Sequence, residues 1–181
     1  VCTYAHSGIS WNATASDNCG TPTVSYELTG ATTATIPSTL NGAVFNKGIT
    51  TVEVTVTDGA LNTVTCTFTV TINDVESPVL VNMPTAVSVN NDVDTCGAIV
   101  IWTAPTSTDN CTGETITQTA GLVSGSVFPV GTTTITYTAT DDSGNSDVES
   151  FNIVVADSQY PVITCPSNIT INCGESTNPS N

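Results

Sequence analysis

The chain repeats itself, and the repeat limits its folds more than any other feature. Sliding the sequence by 83 positions places Phe45, Gly48, Asp58, Asn62, Phe68, Asp74 and Pro78 on Phe128, Gly131, Asp141, Asn145, Phe151, Asp157 and Pro161. Residues 45–78 and 128–161 share 11 identities in 34 positions. Upstream the offset widens: Trp11 meets Trp102 at 91, and Asp17-Asn18-Cys19 meets Asp109-Asn110-Cys111 at 92, so the first copy has the longer middle loop. A period of this length with aligned punctuation marks a modular array in which each copy is one folded unit. The expected units are 1–77, lacking its opening residues, 78–160, nearly complete, and 161–181, the start of a third.

Within each copy the apolar period is two, the period of a strand. Val52, Val54 and Val56 alternate with Glu53, Thr55 and Thr57, and Ile135, Tyr137 and Ala139 repeat the pattern. The runs Asp58-Gly59-Ala60-Leu61-Asn62 and Asp141-Asp142-Ser143-Gly144-Asn145 follow, rich in residues that accept left-handed backbone or bond to it. Val64, Cys66, Phe68, Val70 and Ile72 then alternate again, so the pair reads as a hairpin. Thr at outward positions suits a solvated pleated face. No stretch has a helical period. The expected fold is all-β: tandem immunoglobulin-like β-sandwiches of about 80 to 100 residues each, with Trp11 and Trp102 plugging their cores.

One Lys and no Arg stand against sixteen acidic residues, for a formal charge of −15. Phosphate binding needs several basic groups to displace counterions, so nucleic acid is excluded as a partner. Docking on anionic lipid is disfavoured for the same reason. Apolar runs such as Ala98 to Trp102 are far short of the roughly 20 residues that cross a bilayer, so membrane insertion is not expected. Seven Cys with no C-x-x-C pattern point to disulfides in an oxidising, extracellular setting.

The unit 78–160 contains only Cys96 and Cys111, so exclusion pairs those two, and alignment then pairs Cys2 with Cys19. Cys66 has Glu149 as its counterpart, and the Cys165-Pro166 opening of the third unit has Asn82 to Pro84. Both cysteines are missing together from the second unit, as members of one bridge would be. Cys66 is therefore expected to bond a Cys upstream of the chain, and Cys165 and Cys173 to bond each other or downstream partners. A free thiol is the rival reading. Glu149 and Asp147 share the inward parity of their strand, and burying unpaired carboxylates is costly, so that end of the strand is expected to be open to solvent.

The string Asp109-Asn110-Cys111, then Gly125 to Tyr137 with Phe128-Pro129-Val130-Gly131-Thr132-Thr133-Thr134, then Thr140 to Asn145, resembles the hyalin repeat. The first unit carries degenerate forms and has Asn46-Lys47 where Pro-Val is usual, and Cys165 to Thr170 looks like a further opening. The resemblance implies immunoglobulin-like modules of extracellular or cell-surface proteins that act in adhesion. Scarce Lys and Arg with abundant Thr is similar to the long arrays in giant surface adhesins of Bacteroidetes, including gliding-motility adhesins exported by type IX secretion.

No catalytic constellation stands out: His6 is the only His, and there is no G-x-S-x-G string. The protein is read as a non-enzyme. Calcium is the candidate ligand: Asp74, Glu76, Asp141, Asp142, Asn145 and Asp157 lie at the expected joints or in turns that could face them. Against this, Asp and Asn are ordinary turn residues, and no D-x-D-x-D spacing is present. The expected function is mechanical, a disulfide-stapled, semi-rigid spacer in an adhesive stalk or filament, with neighbouring repeats as its first partners. The alternatives are a module that itself binds an extracellular glycan, protein or solid surface, and an accessory domain of a secreted enzyme.

Overall fold

A computed structural model describes residues 2–170. Among these the chain is all-β, with no helix and no cis peptide bond. The strands are β1 (Thr3–Ala5), β2 (Thr23–Gly30), β3 (Ala34–Ile36), β4 (Val44–Asn46), β5 (Gly48–Thr57) and β6 (Thr63–Ile72) in the first unit. The second has β7 (Val79–Val81), β8 (Val87–Asn90), β9 (Gly97–Ile99), β10 (Thr106–Thr108), β11 (Thr115–Ala120), β12 (Val127–Pro129), β13 (Gly131–Thr140) and β14 (Ser146–Ala156). Strands β1–β6 pair only with one another, as do β7–β14, so the sequence repeat is a repeat of sandwiches.

In the second unit the four-stranded sheet β11-β13-β14-β8 faces the pairs β7-β10 and β9-β12 across a core of Leu80, Ala98, Val100, Phe128, Ile135, Tyr137, Ala139, Phe151, Ile153 and Val155. The chain enters antiparallel to β10, turns at Asn82 with φ 58, and crosses to lie parallel to β14 as β8. That crossing closes the sandwich: Val87 and Val89 pack against the core beside Ile153 and Val155. Trp102 plugs this core as expected, its indole N–H donating to Tyr137 Oη at 2.9 Å and its ring meeting Phe128 and Phe151 edge-on.

The first unit builds the sheet β3-β2-β5-β6 over β1-β4, around Tyr26, Leu28, Leu40, Phe45, Val52, Val54 and Val70. The expected hairpin is β5-β6, in register from Gly48↔Ile72 to Thr57↔Thr63. Its turn is closed by Asp58, whose Oδ1 accepts the amides of Ala60 and Asn62 at 2.8 Å each; Asp141 does the same for Ser143 and Asn145. Leu61 takes the left-handed φ of 68 that Gly144 supplies in the second unit.

The difference between the units that bears on the site is at the edge of the larger sheet. Among the described residues the first has no counterpart of β7 or β8, so β6 is an open edge. Phe68 and Ile72 are half-buried where Phe151 and Val155 are buried, and Val64 and Cys66 are exposed despite their inward parity. In the second unit Glu149 is exposed as expected, and Asp147 is only half-buried because its Oδ2 accepts the Leu80 amide at 2.9 Å.

Candidate functional site

The chemistry-bearing residues converge where the two units meet. Strand β5 begins at Gly48, opposite Ile72, and this end of the first sandwich carries Cys2, Lys47 and Asp74. The second sandwich brings its Asp141–Asn145 turn and its Asp109-Asn110-Cys111 loop to the same place.

The bridge there joins Cys2 to Cys111, with Cα atoms 4.9 Å apart, inside the usual range for a disulfide. This corrects the expected pairs Cys2 with Cys19 and Cys96 with Cys111, and the reason is geometric. The Cys2 carbonyl accepts the Lys47 amide at 3.1 Å, which puts it at the Gly48 end of β5. Cys19 lies in the loop that enters β2 at Thr23, opposite Thr57 at the other end of β5. Ten residues of strand, about 30 Å, separate the two ends. Cys96 and Cys111 are divided in the same way by β13, since the Cys96 carbonyl accepts the Val130 amide at 3.3 Å and Cys111 is on the Thr140 side. Neither intra-unit bond is within reach. Cys19, Cys66, Cys96 and Cys165 are exposed, and Cys173 lies outside the described residues.

Around the bridge, Asp74, Asp109 and Asp141 each place one carboxylate oxygen so that all three lie within 4.8 Å of one another. Asp74, in the link between units, has a side chain only 1% exposed. The chain's single Lys, Lys47, reaches Asp74 Oδ2 at 3.8 Å and donates to Ser143 Oγ at 3.1 Å. Asn145 Nδ2 donates to the Asp74 carbonyl at 3.3 Å and to Asp141 Oδ2 at 2.8 Å. Burial works to raise the Asp141 carboxyl, yet the Asn145 side chain and the amides of Asn145, Ser143 and Gly144 outweigh it and hold the group below the ordinary carboxylate range. Asp109 is different. Its Oδ2 accepts the Cys111 amide at 3.0 Å, whereas its Oδ1 is buried without any hydrogen-bond partner.

Three carboxylates so close repel one another, and one ammonium offsets only part of that charge. Oxygen ligands with an orphaned carboxylate oxygen among them suit a hard divalent cation such as calcium. Of the residues read from the sequence as ligands, Asp74 and Asp141 are brought together, with Asn145 beside them. Glu76 instead accepts from the Asn110 side-chain amide, Asp142 lies against Gly113, and Asp157 accepts the Gln159 amide past the end of β14. Asp109, the third member of this trio, was not among the residues singled out from the sequence as candidate ligands. Its signal was its recurrence as Asp17 in the Asp-Asn-Cys string.

Two further features bear on function. His6 is buried and stacked on Trp11 with ring centroids 4.0 Å apart, and neither ring nitrogen has a hydrogen-bond partner. An open apolar groove of about 610 Å³ runs along β6, lined by Tyr4, Trp11 and Phe68 to Ile72. No helix among the described residues is long and apolar enough to cross a membrane.

The chain is 40% identical over 131 residues to Hyalin of Lytechinus variegatus, covering 70% of this chain and 24% of that protein. It is 37% identical over 130 residues to Hyalin of Strongylocentrotus purpuratus, covering 70% and 11%. It is 32% identical over 133 residues to Sushi, von Willebrand factor type A, EGF and pentraxin domain-containing protein 1 of Rattus norvegicus, covering 72% and 4%. It thus spans less than a quarter of these relatives. Among solved structures, Protocadherin Gamma B2 extracellular cadherin domains 1-5 aligns at a TM-score of 0.33 and 15% identity, covering 77% of this chain and 33% of that one. The model of the HYR domain matches twice, at residues 9–72 and 73–155, each match falling on one sandwich, and the chain belongs to the HYR domain family.

Proposed function

We propose that this chain is an extracellular, non-catalytic adhesion module that works as a semi-rigid spacer, its units 1–77, 78–160 and 161–181 being successive elements of a stalk or filament. The observation that carries this reading is the Cys2–Cys111 bridge, which ties one sandwich to the next. A spacer must resist bending at its joints, and a covalent tie beside the link does that directly. The contacts of Lys47 and Asn145 with Asp74 act in the same sense. Calcium held by Asp74, Asp109 and Asp141 would stiffen the joint further by drawing the link onto both loops of the second unit.

The curated relatives are animal proteins, and hyalin is the relative whose repeats this chain shares. A gliding-motility adhesin of Bacteroidetes exported by type IX secretion remains a reading from composition. The spacer's partners are neighbouring repeats; a glycan, a protein or a solid surface would be held elsewhere in the array.

Small-angle scattering tests the spacer. Two sandwiches end to end, each about 40 Å long on ten-residue strands, give a radius of gyration near 24 Å. A compact body of this length gives about 16 Å. The expected result is the larger value, unchanged by flexing in the oxidised protein; the smaller value would remove the spacer reading.

A further inference from the structure

We propose that the outer face of the β9-β12 ribbon, on the flank of the second sandwich, is a docking surface for a second copy of this chain, the two copies meeting face to face about a two-fold axis. The face shares no residue with the junction between the units, so it stands apart from the spacer's mechanics and from calcium.

Alternate side chains of a strand point to opposite faces. In this ribbon Ala98 and Phe128 are paired and buried, so their neighbours point outwards: Ile99 opposite Val127, and Pro129 opposite Gly97. Ile99 and Val127 are 58% and 56% exposed. Two residues past Ile99, Ile101 is 77% exposed, and Val123 in the adjoining turn is 64% exposed. Four hydrogen bonds hold that turn against the strand. The Gly125 amide donates to the Val100 carbonyl at 2.8 Å and the Val100 amide to the Ser126 carbonyl at 3.4 Å. The Trp102 amide donates to Ser124 Oγ at 2.9 Å, and Ser124 Oγ to the Trp102 carbonyl at 3.0 Å. The apolar groups are thereby fixed in place before a partner arrives, which lowers the ordering cost of docking.

The fold does not require this face. In the first sandwich the ladder β1-β4 repeats β9-β12, with Ala5 paired to Val44 and Thr3 to Asn46, and the His6 amide donates to the Ala43 carbonyl as Val100 does to Ser126. Ala5, Ser7 and Asn46 thus stand where the second unit has Ile99, Ile101 and Pro129. The patch they replace leaves about 500 Å² of mostly apolar surface open, the size at which an exposed patch marks an interaction site.

Charge selects the occupant. The chain carries −15, yet residues 95–108 and 115–140, which build the face, contain no charged residue. A basic partner would gain nothing here, whereas a second copy brings a face equally apolar and equally free of charge. The one carboxylate bonded to the rim is Asp92, whose Oδ2 accepts the Ile99 amide at 3.0 Å and whose own amide donates to the Gly97 carbonyl at 2.7 Å. A two-fold axis through the Ile99–Val127 pair reverses the strands, so the two Asp92 side chains fall at opposite ends of the contact. It also sets Ile101 and Val123 of one copy over the shallow end of the other, where Pro129 faces a glycine. The mated faces bury about 1,000 Å² in total, the lower end of specific interfaces. Strand addition along β12 would meet Pro129, which has no N–H to donate, so the contact is made by side chains.

The test is sedimentation velocity on the oxidised 181-residue chain from about 10 μM to about 1 mM, with exposed thiols alkylated and a chelator present. A reversible dimer is expected, with a dissociation constant inside that range that falls as salt screens the net charge. Val127→Asp places facing carboxylates at the centre of the contact and should raise the constant at least about tenfold. Val44→Asp, the equivalent change in the first unit, should leave it unchanged, and thermal melting reports whether each variant is folded. Ile101→Asp, outside the strand ladder, should act as Val127→Asp does and serves if that variant does not fold. Amide shifts that depend on concentration should centre on Ile99, Ile101, Val123 and Val127. A chain still monomeric at the highest concentration, a dimer indifferent to the second-unit changes, or shifts centred on another face would overturn the proposal.

Discussion

Removing the Cys2–Cys111 bridge by the double change Cys2→Ser and Cys111→Ser should weaken both sandwiches by different amounts, because the bridge closes a different loop for each. The sequence separation is 109 residues, yet that is not the loop either unit experiences. Asp74 lies within 4.8 Å of both sulfur atoms, so while one unit stays folded the link is already anchored at the bridge. Unfolding the second unit alone then frees the 37 residues from Asp74 to Cys111, and unfolding the first alone frees the 72 from Cys2 to Asp74. Chain-entropy arithmetic assigns these loops about 3.8 and about 4.4 kcal/mol, upper figures that native strain and residual structure reduce towards 2 to 4. For units of this size each kcal/mol moves the midpoint by about 4–8 °C. Calorimetry of the oxidised protein should show transitions at least about 10 °C above those of the double variant, with the first unit shifted the more. A shift under about 3 °C in both, or in the second unit alone, would refute the anchored-loop reasoning.

Three further outcomes follow from the same geometry. Calcium should raise the melting temperature and a chelator should reverse it; saturation at 100 times the dissociation constant is worth about 2.7 kcal/mol, and Asp109→Asn, which keeps the shape but removes the orphaned charge, should abolish the response. Asp58, held low chiefly by the Asn62 side chain, and Asp141, held low by Asn145 against its burial, bind protons more weakly in the folded than in the unfolded chain. Their contribution is therefore complete above the ordinary carboxylate pKa of about 4 and is lost as pH falls through their lowered values, so a melting series should be flat from this source above pH about 5 and fall below about 4. Gly121→Ala should cost the second unit about 2–4 kcal/mol by denaturant titration, since Gly121 has φ +85 and a Cβ there would sit 2.4 Å from Ile135 Cδ1 and 2.7 Å from the Thr134 carbonyl oxygen.

The fold was legible because three local signals agreed. The repeat set the number of sandwiches, the alternation of Val52, Val54 and Val56 gave β5, and the Asp58 and Asp141 runs closed hairpins through the side-chain bonds their composition implies. Tyr137 was readable as core because an aromatic at inward parity has nowhere else to go; Trp102 packs on the same core, whereas Trp11 is only half-buried and lines the open groove. What β6 would bury was not readable from parity alone. Val64 and Cys66 face inward by period, yet remain exposed because, among the described residues, β6 is the edge of its sheet and nothing covers that end of it.

The cysteines show why the site was harder to read than the fold. Alignment correctly makes Cys2 equivalent to Cys96 and Cys19 equivalent to Cys111, but equivalence says nothing about which end of a sandwich a residue occupies. Exclusion within one unit assumes that bridges close inside units, and a ten-residue strand between the two positions makes that impossible. Once β1 is known to run antiparallel to β4, Cys2 must lie beside Lys47, at the end that faces the second unit. Each unit then offers one cysteine forwards and one backwards, and in both Asp-Asn-Cys strings the Asp fixes the amide of its Cys. The same polarity would let a bridge of this kind recur at every joint of a longer array, with no bond inside any unit required.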